Sequence, residues 1–288
     1  MKLKQEPVDA KVLQRYIKEN SDFEFELRVY NRISSMKLTC SHGGYYTDFI
    51  TKLSREYDIR ACSTEGNTQC DITLECKNIK ENFPIVAHCV PRRLEESFHQ
   101  LLIHVEGPFF KRKSHDIIEL QAYKGPCRIA QTKYPKTPYR SEDLVAKSIC
   151  QVGVNKSDNK IVSNGTDFYP KIQQCLNSMY ELFDFAGTHT EKDKIHAFLP
   201  VFVIPDGRLW QIAHDETGKL TKAPKQIEHI SYYVNQRWEI PYQDTYWAAI
   251  YLSHIEIVTE SAVEKIIKER ISLDGEGSLF QMGIGDGS

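Results

Sequence analysis

Glu75 and Lys77 stand two residues apart in a run, Gln69 to Lys77, where polar and apolar residues alternate. In a strand this puts Asp71, Thr73, Glu75 and Lys77 on one face and Ile72, Leu74 and Cys76 on the other. The preceding run, Arg55 to Cys62, repeats the device, with Glu56, Asp58 and Arg60 on one side and Tyr57, Ile59 and Ala61 on the other. Ser63 to Thr68, polar and containing Gly66, suits the loop of a hairpin. Antiparallel pairing then brings Asp58 beside Glu75 and Lys77. Two carboxylates offer hard oxygen donors to a divalent cation, and a carboxylate and an ammonium two residues apart on one strand face sit close enough to share a metal-bound water. The bland alternative is a same-face ion pair between Glu75 and Lys77 worth a fraction of a kcal/mol, with Asp58 partnered by Arg55 or Arg60. Glu56 and Asp71 share these faces and stand in reserve.

Asp58, sixteen intervening residues and Glu75-x-Lys77 resemble the motif of the PD-(D/E)XK, or restriction-endonuclease-like, nuclease superfamily. Gly44-Tyr45-Tyr46-Thr47-Asp48 followed by Arg55-Glu56-Tyr57-Asp58-Ile59 is similar to the run before the catalytic strand in its Mrr-like branch, and Phe25-Glu26-Leu27 resembles the Phe-Glu of that branch's first core helix. The likeness covers about the first third of the chain. It implies a Mg2+ ion, with Mn2+ able to substitute, held by Asp58, Glu75 and the backbone carbonyl of Cys76. It also implies that Lys77 holds or deprotonates the attacking water, while Glu26 completes a second metal position or orients a water.

The elements that must position these residues follow from periodicity. Pro7 to Glu19 has Val12, Leu13, Tyr16 and Ile17 at helical spacing. A second helix, Phe23 to Met36, is capped by Ser21 or Asp22 and is expected to bury Phe23, Leu27, Val29, Tyr30 and Ile33. Glu26 falls in the middle of that apolar arc, where a carboxylate is costly unless paired. Leu38 to Tyr46 reads as a strand, Asp48 to Leu53 as a turn, and Phe83 to Val90 as a strand buried on both faces. Arg92 to His104, Ser141 to Val152 and Thr166 to Phe185 read as helices. Lys194 to Val203 and Arg208 to Ala213 read as a hairpin over Pro205-Asp206-Gly207. Asn235 to Gln243, interrupted by Pro241, reads as a connection, His254 to Val258 as a strand, and the residues after Thr259 or Ser261 as a helix through Ile271.

Together these predict an α/β fold, a mixed central sheet flanked by helices. The restriction-endonuclease-like core is expected over 21–105, elaborations over 106–271 in the same domain, and a flexible Gly-rich tail over 272–288. Pro108, Pro126, Pro135 and Pro138 punctuate a basic segment with Lys111, Arg112, Lys113, Lys124, Arg128, Lys133, Lys136 and Arg140. Phe109, Phe110, Tyr123, Tyr134 and Tyr139 are interleaved with those charges. Its two readings are an irregular solvated excursion and a track for a nucleic-acid backbone.

The chain has 288 residues, 41% of them hydrophobic and 26% charged, with a net charge of -2, which is the make-up of an ordinary globular protein and says little about partners. Met1 to Ala10 has no signal-peptide core and no stretch approaches the roughly 20 apolar residues of a membrane span, so a cytoplasmic setting is expected. The eight cysteines show no Cys-x2-Cys pair and the ten histidines no His-x3-His pair. Neither glycine-rich nucleotide motif occurs. The expectation is a Mg2+-dependent endonuclease acting on DNA, with Glu26, Asp58, Glu75 and Lys77 as its site, as a homodimer or with a partner subunit. RNA cleavage, or a binding protein that keeps the fold without activity, are the alternatives.

Overall fold

Alternation of polar and apolar residues over Thr68–Cys76 makes a strand, β3, but it is buried on both faces. The computed structural model describes residues 7–104, 117–122, 127–165, 168–189, 194–242, 246–273 and 275–280. β3 forms the expected antiparallel hairpin with β2, Ser54–Glu65. The turn is tight: Glu65 pairs with Thr68, leaving Gly66, at φ 56°, and Asn67 to reverse the chain. β1, Thr39–Thr47, pairs antiparallel with β2. On its other side β3 runs parallel to a strand from far along the chain, Ile195–Ile204, against which it is in register from Thr68 to Cys76.

Between them the chain forms β4 (Ile85–Pro91), β5 (Phe98–His104), β6 (Ile117–Ala122), β7 (Cys127–Lys133), β8 (Leu144–Val154), β9 (Ile161–Asn164) and the long helix Tyr169–His189. Ile195–Ile204 is therefore β10, and β11 (Leu209–Ala213), β12 (Lys225–Gln226), β13 (His229–Tyr242) and β14 (Tyr246–Thr259) complete one mixed sheet among the described residues. Its main path runs β1-β2-β3-β10-β14-β13-β8-β4-β11-β12. The helices are α1 (Ala10–Asn20), α2 (Phe23–Ser35), α3 (Tyr169–His189) and α4 (Val263–Ile271). α2 and α4 pack on one face with Phe25, Val29, Ile33, Val263 and Ile267. α3 packs on the other with Cys175, Leu176, Met179 and Phe183. The α/β expectation holds, and no helix among the described residues is long and apolar enough to cross a membrane.

Several local expectations are overturned. Residues 98–104 form a strand, not a helix: Leu101 and Leu102 are both fully buried but in opposite cores, which a strand achieves and one helix face cannot. Leu144–Val154 is a strand as well, since its β-branched Val145 and Ile149 find partners in β4 and Val152 in β9. β10 and β11 make no hairpin; β10 lies between β3 and β14, and β11 runs parallel to β4. The segment read as a connection around Pro241 belongs to β13. In α2 Phe25 is buried and Phe23 is exposed. The tail is docked as far as Phe280: Leu279 and Phe280 are buried, and the Leu279 carbonyl meets His99 Nε2 at 2.5 Å. Residues 281–288 lie outside the described residues.

Candidate active site

The β2/β3 register sets Ile59 opposite Leu74, so the next pair outward, Asp58 and Glu75, projects together toward α3. The charged face of β3 is covered by that helix. Thr73 donates to the Cys175 carbonyl at 3.3 Å, and Arg60 donates to Ser178 Oγ at 3.0 Å and Glu181 at 2.8 Å. Asp58 and Glu75 retain only 6% and 1% of their exposure. Asp58 Oδ2 accepts the Cys76 N–H at 2.8 Å, and its other oxygen stands 3.4 Å from Lys171 Nζ. The same ammonium donates to Glu75 Oε1 at 2.5 Å. Arg55 pairs instead with Asp48 and Arg60 with Glu181, so neither neutralises Asp58.

Lys171 is the residue that sequence reasoning missed. It sits in the first turn of α3, where a cation opposes the helix dipole and no acidic residue helps. That misfit is the signal that could have found it. Burial works against its charge, but Glu75 and Asp58 outweigh burial and hold the ammonium above the ordinary lysine range. Glu75 is pushed well above the usual carboxylate range, first by burial and then by Asp58, with Lys171 offsetting only part.

Glu26 shares an open cleft of about 470 Å³ with Asp22, Arg55, Glu56, Asp58 and Lys171. Burial, reinforced by Asp58, raises its carboxyl to about 7. His42 Nε2, buried and without a hydrogen-bond partner, lies 3.7 Å from Glu26 Oε2, its ring between those of Phe23 and Tyr30. Lys77 is placed differently from its expected position: its Nζ donates to Asp22 Oδ2 at 2.7 Å, and the Asn78 N–H holds the other oxygen at 2.9 Å. The structure thus brings Asp58, Glu75 and Cys76 together with Lys171, sets Glu26 on the same cleft, and moves Lys77 to the Asp22 rim.

Of the reserve carboxylates, Glu56 lines the cleft, whereas Asp71 is drawn to His196 at 3.3 Å and Gln69 at 2.9 Å. In the basic segment Pro108, Phe109, Phe110, Lys111, Arg112, Lys113, Tyr123, Lys124 and Pro126 lie outside the described residues. Tyr139 is buried, stacked 3.8 Å from the His254 ring, and offers no free face to a base. Among the described residues seven cysteines are free thiols, most of them buried among apolar neighbours.

The donor set fits a hard divalent cation. Among the described residues no three His, Cys, Asp or Glu side chains close around one point. Mg2+ nevertheless needs only one or two carboxylates and keeps several waters, which Asp58 and Glu75 supply. Three carboxylates around a single ammonium, two of them raised in pKa, form a cluster short of positive charge. Comparison of the chain with family models, with curated proteins and with solved structures found no match.

Proposed function

We propose that the protein is a Mg2+-dependent nuclease that hydrolyses phosphodiester bonds in DNA, of the restriction-endonuclease-like kind its motif resembles. The observation that carries this reading is the meeting of Asp58 and Glu75, buried on adjacent strands, around one ammonium at the wall of a cleft that Glu26 shares. Asp58, Glu75 and the Cys76 carbonyl would hold the ion, which would supply Lewis-acid charge to the phosphate and lower the pKa of water. Lys171 replaces Lys77 in the role nearest the reacting centre, orienting the nucleophile and countering charge on the phosphate. Glu26, whose carboxyl burial and Asp58 raise to about 7, takes or returns a proton. Lys77 fixes Asp22 and with it the start of α2.

Supercoiled plasmid, single-stranded DNA and RNA incubated with Mg2+, Mn2+ or EDTA test this. Cleavage is expected only with metal, and Asp58→Asn and Glu75→Gln are expected to lower it at least about a hundredfold. Metal-dependent cutting retained by Asp58→Asn overturns the assignment. The second reading, a nucleic-acid-binding protein without catalysis, is favoured by one observation: Lys171 already bridges the two carboxylates, as a structural ion cluster would. Absence of both cleavage and Mg2+ binding in the folded wild type would select it.

A further inference from the structure

Unlike α2, α3 and α4, α1 buries nothing in its own chain: every residue from Pro7 to Ile17 is exposed. Isolated helices shorter than about 12–15 residues are marginal in water, and α1 has 11. A cap at Asp9, whose Oδ1 accepts the Val12 N–H at 2.8 Å, does not make up that deficit. Helices of this length are held by packing an apolar face.

α1 has such a face. At 100° per residue Val12, Leu13, Tyr16 and Ile17 fall within an arc of about 140°, with Lys11, Gln14 and Arg15 on the opposite side. Together with Val8 before the cap and Phe23 at the start of α2, these apolar residues are 50–63% exposed. Six such side chains present on the order of 600 Å² per copy, as large as the biggest apolar patch of an ordinary monomer. Two copies would bury about 1,200 Å², above the roughly 1,000 Å² that a specific interface needs.

The order of the residues says what the covering surface is. Val8, Val12, Leu13 and Ile17 are symmetric about the point between Val12 and Leu13. Across an antiparallel two-fold axis Val12 of one copy faces Leu13 of the other, and Val8 faces Ile17, each contact being made twice. The same register sets the Tyr16 hydroxyl toward the Asp9 carboxylate, Lys11 opposite Gln14 and Arg15 opposite Ala10, so no like charges meet, and the two helix dipoles oppose. An isologous contact requires this self-complementary order; a contact with a different protein does not.

We propose that α1 is a dimerisation helix: a second copy of the chain packs its α1 antiparallel against the first, with the two-fold axis between Val12 and Leu13. Tyr16 and Phe23 also line the cleft of Glu26 and Asp58, so each cleft lies beside the interface. The interface stands whether or not that cleft cuts nucleic acid.

Sedimentation equilibrium of the full chain from about 1 to 100 μM tests this, with a mass expected to rise toward twice 33.3 kDa. Leu13→Glu and Ile17→Glu are each expected to weaken the dimer at least about tenfold. Neither side chain is buried within one copy, so the circular dichroism of the fold should be unchanged. Val8→Lys added to Ile17→Glu is expected to recover part of the loss, because the register sets the opposite charges face to face, and Asp58→Asn is expected to dimerise as the wild type does. Amide exchange over residues 10–17, slowing as concentration rises, gives a readout that needs no variant. A folded wild type that remains a monomer throughout, or a Leu13→Glu variant that dimerises within twofold of wild type, overturns the proposal. Such a monomer binding phosphatidylserine vesicles through Leu13 would assign the face to a membrane surface instead. A double variant no better than Ile17→Glu alone would overturn the antiparallel register.

Discussion

Two buried glutamates flank β10, and their surroundings are opposite. Glu75 on β3 is in register with Phe202, and Glu256 on β14 with Val201, so they project to opposite faces of the sheet. Both are almost fully buried, at 1% and 0% exposure, and burial alone raises both carboxyls. Glu256 receives Arg270 Nε and His229 Nε2, each at 2.7 Å, and the Ser231 hydroxyl at 2.8 Å. Those partners outweigh burial and hold it well below the usual range. Glu75 has one ammonium, shared with Asp58, and stays well above it. The difference teaches that burial of charge does not mark function; the marker is a cluster whose partners fail to cover its charge.

The largest effect expected from breaking this comparison is on stability. Glu256→Ala leaves Arg270, whose side chain is 7% exposed, without its carboxylate, and should cost about 3–5 kcal/mol in urea unfolding. Glu75→Gln removes a like charge from an over-acidic cluster and should stay within about 1 kcal/mol of wild type, or gain. Equal losses at the two sites would show both clusters to be structural. The sharper form adds Mg2+. At a hundredfold excess over its dissociation constant it should stabilise the wild type by about 2.7 kcal/mol, and Asp58→Asn should lose that gain. A stabilisation that survives in Asp58→Asn would place the ion elsewhere.

The Asp58–Glu75 pairing was legible because it rests on local features: period-two alternation, a polar turn and antiparallel adjacency fix the register within twenty-odd residues. What was not legible came from far along the chain. Lys171 and β10 reach β3 across roughly a hundred residues, and nothing near Glu75 announces either. Phe98, Leu101 and Leu102 satisfy helix and strand spacing equally well, so only their β7 and β10 partners decide. The destination of Lys77 was misjudged for a local reason: β3 ends at Cys76, and Asp22, at the start of α2, captures the ammonium once strand geometry no longer directs it.

A pH titration of the metal-free protein sets the clusters against each other. Glu26, near 7 when folded against 4.5 ordinarily, binds its proton more tightly in the folded state. Its contribution to stability is full below about pH 4.5 and is lost as pH rises through 7. Glu256 is depressed, so its contribution is present above 4.5 and lost as pH falls below it. Urea midpoints taken between pH 5 and 8 in EDTA should therefore fall less steeply with pH in Glu26→Gln than in wild type. Parallel curves would remove Glu26 from the strained cluster.

The smallest stability effect, and the most discriminating assignment, concerns the two lysines. Lys77 and Asp22 are 27% and 14% exposed at their side chains, and such a rim pair contributes about 0–1 kcal/mol. Lys77→Met should thus barely move the urea midpoint and should lower cleavage less than about tenfold, because it touches the site only through Asp22 and the start of α2. Lys171→Met deprives Asp58 and Glu75 of their shared ammonium and should lower cleavage at least about a hundredfold, with Lys171→Arg restoring part of it as a cation of different shape. The reverse order, abolition by Lys77→Met and activity in Lys171→Met, would mean that Lys77 leaves Asp22 for the reacting phosphate when substrate binds. Lys171 would then belong with Arg270, as the partner of a buried carboxylate and nothing more.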